Sequence, residues 1–372
     1  MSQNIATRCR GKMPLIFSFI LIVFSLLLHI MARKVPGFAE WYAVTIYPIF
    51  VNTYGRFLSL FPVSVVEIAI FFLLSFLIVS IIIICVKVTQ NKINIKQIIT
   101  KAFTVLFVSG SLIFLTFTLF CGINYHRDPF SKVAGFTISN HSVEELGQLC
   151  VSLVEEINEA SKLINRDADG MLQLDDTFGQ EAMEAMNALG EKYPALAGYY
   201  PRPKPILFSK VLSYQFTMGV YSAFTMEANY NKDMPVYSLP DTMCHELSHL
   251  KGFMREDEAE FIAYLACRSS NHPAFRYSGA MEAFGYAMNA YYKEAGSEAY
   301  FEIYNKLDPE VIKERQAKDA WWKQYEGPVK EISNKATDVY LKANNQTDGM
   351  KSYGRVVDLL LEDFLQRQSD AS

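Results

Sequence analysis

The stretch DTMCHELSHLKGFMREDEAEF, residues 241–261, holds two of the chain's six histidines and then four carboxylates in quick succession. His245 and His249 are four apart, so on a helix they share one face. Two neutral imidazoles on one face can bind one zinc ion. Glu246 lies beside them, where it could reach a water on the metal. This is the HExxH arrangement, with Glu246 as general base. A catalytic zinc site needs a third protein ligand and an open position. The metzincin spacing would put a third histidine at 255, but Arg255 stands there. The third ligand is then a carboxylate from the next helix, where Glu256, Glu258 and Glu260 are available. Glu256 and Glu260 share a face, which favours Glu256 as ligand and Glu260 as the group that holds a ligand in place.

The elements around the motif suit that task. Pro240 and Asp241 read as a helix start, with Asp241 as N-cap, and the helix runs to Lys251. Gly252 then allows the sharp turn that brings Glu256 back, since glycine adopts positive φ cheaply. The apolar stripe FIAYLAC, residues 261–267, anchors the acidic turn. The competing reading is a solvated acidic helix with two incidental histidines. The cap, the stop glycine, the spacing of the acids and the stripe all count against it.

A second acidic segment, residues 165–176 (NRDADGMLQLDD), can be numbered as a calcium loop. Asn165, Asp167 and Asp169 fall at positions 1, 3 and 5, Gly170 at 6 and Asp176 at 12. The pattern departs at position 1, an Asn, and at 12, where a bidentate Glu is usual. An Asp/Gly-rich turn gives the same letters, and that is the preferred reading over Ca2+.

Upstream the chain changes character. It is 372 residues long and 51% hydrophobic, but the apolar content is concentrated before residue 123. Three runs, 13–32, 61–86 and 102–123, each supply the roughly 20 apolar residues a spanning helix needs. Residues 1–123 are thus expected to form a membrane domain in the lipid bilayer, and 124–372 a separate domain. Arg8, Arg10 and Lys12 precede the first run, and Lys87, Lys92, Lys96 and Lys101 lie between the second and third. Basic flanks favour the cytoplasmic side. That puts the N-terminus in the cytoplasm and the later domain outside the cell membrane. Glu67, near one end of the second run, is expected to snorkel or be protonated.

In the later domain, Ser142 and Glu145 form a capping box that opens a helix to about 164. Residues 181–191 read as another helix, and the Pro-rich YYPRPKPILF ends it. Segments 205–209 and 219–228 read as strands. From 241 the pattern is mainly helical. The fold class expected is α+β: three transmembrane helices, then a mainly helical domain with a small sheet. A net charge of −4 gives no electrostatic case for nucleic acid. The six cysteines show no CxxC pair and read as free thiols, with one bridge among Cys150, Cys244 and Cys267 as the alternative.

Four segments, SAFTMEANYN, LPDTMCHELSHLKGFMREDEAEFIAYLAC, YSG and DGMKSYGRVVDLLL, resemble a bacterial membrane family known as domain of unknown function 3810. The resemblance spans most of the chain. It implies a zincin-like metallopeptidase of the glutamate-ligand type. Glu260 departs from the Asn common at its position. The resemblance also implies an edge strand that grips substrate, carried here by Tyr221, Phe224 and Thr225. An oxyanion donor is further required. Tyr353 is the first candidate, with Tyr286, His272 and Arg355 as others. The expected function is a membrane-anchored zinc endopeptidase acting on a peptide or protein outside the membrane. The alternative is a membrane sensor that uses the same domain to bind a ligand or to cleave one partner.

Overall fold

The computed structural model of the chain describes residues 13–90, 94–136, 141–346 and 355–371. Three of its helices are long and apolar enough to cross a membrane: Met13–Lys34 (α1), Val65–Thr89 and the run Ile95–His126. Between the first two lie a short helix, Phe38–Thr45 (α2), and single helical turns, Tyr47–Phe50 and Arg56–Ser59, joined by a π turn. Val65–Thr89 is α3, and Ile95–Phe117 is α4, which continues through a π turn, Thr118–Gly122, and a 3-10 turn, Asn124–His126.

The span limits differ from those expected of the sequence. Pro62 and Ser64 delay the start of α3, where the Ser64 hydroxyl accepts the Glu67 N–H. Asn94 caps α4, which starts at Ile95, seven residues before its apolar run at 102, so Lys96 and Lys101 lie on the helix itself. Helices α1 and α4 pack together. Ser18, Ser25 and Ala32 are buried along α1, each seven residues from the next, and small residues there let the backbones approach.

The rest builds one core. Phe130–Ala134 is α5. Val143–Ser161 is α6, opened by the expected capping box between Ser142 and Glu145. Phe178–Lys192 is α7. Strand β1, Lys204–Ile206, leads into α8, Ser209–Tyr214, and then into β2, Gly219–Ser222, and β3, Glu227–Asn231. Leu239–Leu250 is α9, Glu256–Ser269 is α10, and Pro273–Tyr304 is α11, which kinks at Gly296. Pro309–Lys323 (α12), Pro328–Ala343 (α13) and Val356–Ala371 (α14) follow. Helix α6 lays Leu146, Leu149, Cys150, Leu153 and Ile157 against α11 at helical spacing. Helix α10 is buried from Asp257 to Cys267, as the apolar stripe requires. Residues between α1 and α3, among them Tyr42, Tyr47 and Val51, are part of that same core.

The sheet has the order β1-β3-β2, with β1 parallel and β2 antiparallel to β3. One flank of β2 is therefore unpaired within the sheet. The single strand expected at 219–228 is instead a hairpin. Its turn includes Met226 at φ 51, and β1 stops at Ile206, so residue 209 already opens α8. Cys85, Cys121, Cys150, Cys244 and Cys267 are all free thiols.

Candidate metal centre

Helix α9 begins three residues earlier than its sequence suggests, at Leu239 after Ser238, and Asp241 is not its cap. Pro240 and Asp241 occupy the first turn, where the Asp241 N–H donates to the Ser278 hydroxyl at 3.0 Å. Gly252, at φ +83, ends the helix, with its N–H on the His249 carbonyl at 2.9 Å. The chain reverses there, and Glu256 enters at the first turn of α10.

That reversal fixes both imidazoles. His249 Nδ1 lies 2.8 Å from the Phe253 carbonyl, which makes Nδ1 the protonated nitrogen and frees Nε2. His245 Nδ1 lies 3.0 Å from Glu260 Oε2, and its Nε2 lies 3.2 Å from Glu256 Oε2. His249 Nε2 is 3.7 Å from the same carboxylate oxygen. The two rings stand nearly perpendicular, 4.8 Å apart at their centroids. Among the described residues, one set of His, Cys, Asp or Glu brings three ligand atoms within 4.8 Å of one another, and it is His245, His249 and Glu256. Two imidazoles and a carboxylate, with each imidazole oriented from behind, fit a zinc ion.

The charges point the same way. Burial would lower His245, but the hydrogen bonds its ring makes to the Glu256 and Glu260 carboxylates outweigh it and hold the ring well above its ordinary value. Burial would raise Glu256, yet its bonds to both histidines hold it well below the carboxylate range. Each partner thus favours the charged form of the other. Burial pushes the Glu246 carboxyl up to about 7, against the pull of His245 and His249 and the Tyr221 N–H. Burial, with Glu260 and Glu282 nearby, also holds Asp241 well above its usual value.

The site opens into a cavity of about 960 Å3. Strand β2 forms one wall, from Gly219 to Ser222, and α13 forms the facing wall through Val329, Ile332, Ala336 and Tyr340. Of the expected substrate-strand residues, Tyr221 is on β2 and Phe224 lines the cavity from the hairpin turn. Thr225 is buried in that turn, with its hydroxyl on Ser222 Oγ at 2.8 Å. Tyr286 lines the cavity. His272 caps α11 through the Ala274 N–H, and Arg355 holds Asp257 at 3.0 Å, so neither is at the centre. Tyr353 lies outside the described residues. Glu258 turns to Arg255, away from the histidines.

Segment 165–176 is a closed turn. Asp167 Oδ1 accepts the N–H groups of Asp169 and Met171, each at 2.9 Å, and Arg166 takes the Gly170 carbonyl at 2.7 Å. Asp175 accepts the Thr177 N–H. These carboxylates serve their own backbone rather than a common centre.

Two contributors escaped the sequence reading. Gly219 sits against Glu246, and a Cβ there would run into the Glu246 carboxylate. The exit of α4 supplies Phe117, Cys121 and Tyr125 to the cavity wall. Their regular four-residue spacing was a readable signal of one helix face.

A family model described as Protein of unknown function (DUF3810) matches residues 42–361. No curated protein and no solved structure matches the chain.

Proposed function

The chain belongs to the family described as Protein of unknown function (DUF3810), and from its site we propose that it is a membrane-anchored zinc peptidase with a zincin-like domain. One observation carries the reading: three ligand atoms of His245, His249 and Glu256 converge within 4.8 Å, with Glu246 beside them under an open strand edge. His245, His249 and Glu256 would hold the ion. Zinc there would act as a Lewis acid, activating water and polarising a carbonyl. Glu246 would accept the proton from the attacking water and return it to the leaving amine. Its burial suits a base whose proton affinity lies near neutrality. Glu260 and the Phe253 carbonyl would keep both imidazoles aimed. The free flank of β2 would pair with an extended peptide backbone, which grips a chain with little demand on its sequence. Tyr286 would face the developing oxyanion from the cavity wall.

The orientation follows from charge. Lys87 lies in the last turn of α3, and Lys96 and Lys101 lie early in α4, so that connection belongs to the cytoplasm. The metal centre is then extracytoplasmic. The packing of residues between α1 and α3 onto the later domain agrees with three crossings, which would put both on one side, whichever side that is. Tyr47 Oη meets Tyr221 Oη at 2.9 Å, and Arg127 pairs with Glu40 at 3.0 Å.

The test uses the purified full chain. Elemental analysis should find a single zinc, which Glu256→Ala loses or binds at least about tenfold more weakly. Glu246→Gln should keep the zinc while peptide-library hydrolysis falls by roughly 10²–10⁴-fold. A folded wild type that takes up no metal sinks the reading and promotes a ligand-binding sensor. Equal hydrolysis by Glu246→Gln removes Glu246 as the base.

A further inference from the structure

We infer that the substrate is a polypeptide tethered in the same bilayer and cut close to the membrane surface; this rests on the peptidase reading. The membrane-crossing helices do more than anchor the domain, because they supply part of the cavity. Phe117, Cys121 and Tyr125, on one face of the exit of α4, and Val66, in the first turn of α3, all line it. Cys121 Sγ meets Met254 Sδ at 3.8 Å, and Met254 is two residues before Glu256. Cys121 and Tyr125 pack with Ala223 of the hairpin turn and with Met254 in one small apolar cluster. Few side chains therefore separate the point where the chain leaves the bilayer from the candidate ligands.

The domain is also clamped at that height. Glu67, at the start of α3, accepts the N–H groups of Leu207 and Phe208, each at 2.9 Å. The sequence did not reveal this contact between Glu67 and the later domain. In return, Glu227 of β3 accepts the N–H groups of Val65 and Val66 at 2.9 and 3.0 Å. Phe71 of α3 stacks on Phe208 at 5.8 Å, so the start of α8 lies alongside the span. Here Leu207, Phe208 and Val211 are exposed, and Ile332 of α13 is 68% exposed. Exposed apolar groups gathered beside spanning helices fit a lipid boundary better than water. The cavity is thus entered at bilayer level, between apolar walls. A segment leaving the membrane could lie along β2 without first crossing bulk water. Tethering would raise its effective concentration at the site.

Height above the membrane is the decisive readout. The full chain is reconstituted in phospholipid vesicles with one randomised octapeptide library in three forms. One form is free. The others are joined to a membrane-spanning leucine-rich helix of about 20 residues, through a spacer of about 5 or about 30 residues, the shorter reaching less than roughly 20 Å. The short-spacer form should be cut about tenfold faster than either other form. Leu207→Glu and Val211→Glu should remove most of that advantage, while zinc content and cleavage of the free library stay at wild-type level. Long-spacer or free substrates cut as fast as the short-spacer form overturn this inference and leave the peptidase reading standing. No cleavage of any form by zinc-loaded protein overturns both.

Discussion

A methyl group added at position 219 would run into Glu246 Oε1 and lie 2.8 Å from Glu246 Cγ and from Thr242 Cγ2. The backbone of β2 can approach the candidate base this closely only because glycine stands there. Gly219→Ala should leave zinc binding intact and displace the Glu246 carboxylate. A shift of about 1 Å at a reacting group costs on the order of 10²-fold, so kcat/KM on a peptide library should fall by about that much. Unchanged turnover would remove Gly219 from the site. Glu258 makes a separate prediction, for stability. Burial and the neighbouring Asp257 raise its carboxyl from 4.5 to about 7, against Arg255, Arg127 and the Phe130 N–H. Between those values the folded chain binds more protons than the unfolded one. The stabilisation is full below the unfolded value and is lost as pH rises through about 7. Glu258→Gln imitates the neutral acid. Its melting temperature relative to wild type should therefore rise between about pH 5 and pH 8; a constant difference would show that Glu258 does not titrate in that window. At this scale the ligand candidates were readable, because their spacing is local. Gly219 was not, since its glycine requirement arises from contact with a helix that comes later in the chain.

Elements were readable where one periodicity governed them and not where a distant contact did. The capping box was readable as such, and α9 and α10 follow from the stop at Gly252 and the apolar stripe of residues 261–267, although Asp241 is not the cap expected of it. The segment Ala223–Met226 carries strand-forming residues, yet it turns. Tyr54 Oη donates to the Phe224 carbonyl at 2.8 Å, and Met226 packs so tightly on Gly55 that a Cβ at 55 would lie 3.2 Å from its own. Both partners come from the segment between α1 and α3, so a window around the turn shows only its local bonds, Thr225 to Ser222, and not these. The same holds for the link between sheet and span. Lys204 of β1 and Glu227 of β3 form a buried pair at 2.6 Å, with Lys204 Nζ also on the Leu58 carbonyl at 3.0 Å. Glu227 then covers the N-terminus of α3, where a carboxylate meets the positive end of the helix dipole. Glu227→Gln leaves a buried ammonium without its counter-charge, which costs about 3–5 kcal/mol. Thermal unfolding of the detergent-solubilised variant should shift down accordingly. Lys204→Met added to it should recover part of the loss. A Glu227→Gln protein as stable as wild type would mean that the clamp is dispensable.

At the scale of the molecule, the division at residue 124 expected of the sequence separates groups that pack together. Hydropathy marks where a chain can enter a bilayer, but it says nothing about which loops join the core. Arg127 shows what is at stake. Its guanidinium holds Glu40 at 3.0 and 3.2 Å, donates to the Lys251 carbonyl at 2.8 Å and lies 3.9 Å over the Phe253 ring. Lys251 and Phe253 flank the Gly252 turn, and the Phe253 carbonyl is the group that orients His249. The turn that orients His249, a candidate ligand, is therefore braced by residues between two candidate spans. Residues 125–372 alone would lose Glu40 from Arg127, Tyr47 from Tyr221, and Leu58 from Lys204. That fragment should melt less cooperatively than the full chain and bind zinc at least about tenfold more weakly, as expected when groups that orient metal ligands are lost. Calorimetry and zinc titration on both proteins check this. A fragment with a sharp transition and full affinity would make the membrane helices simple anchors. The expected loss would instead make the candidate spans part of the framework of the candidate metal centre, and it would tie the site's competence to the membrane segment of the chain.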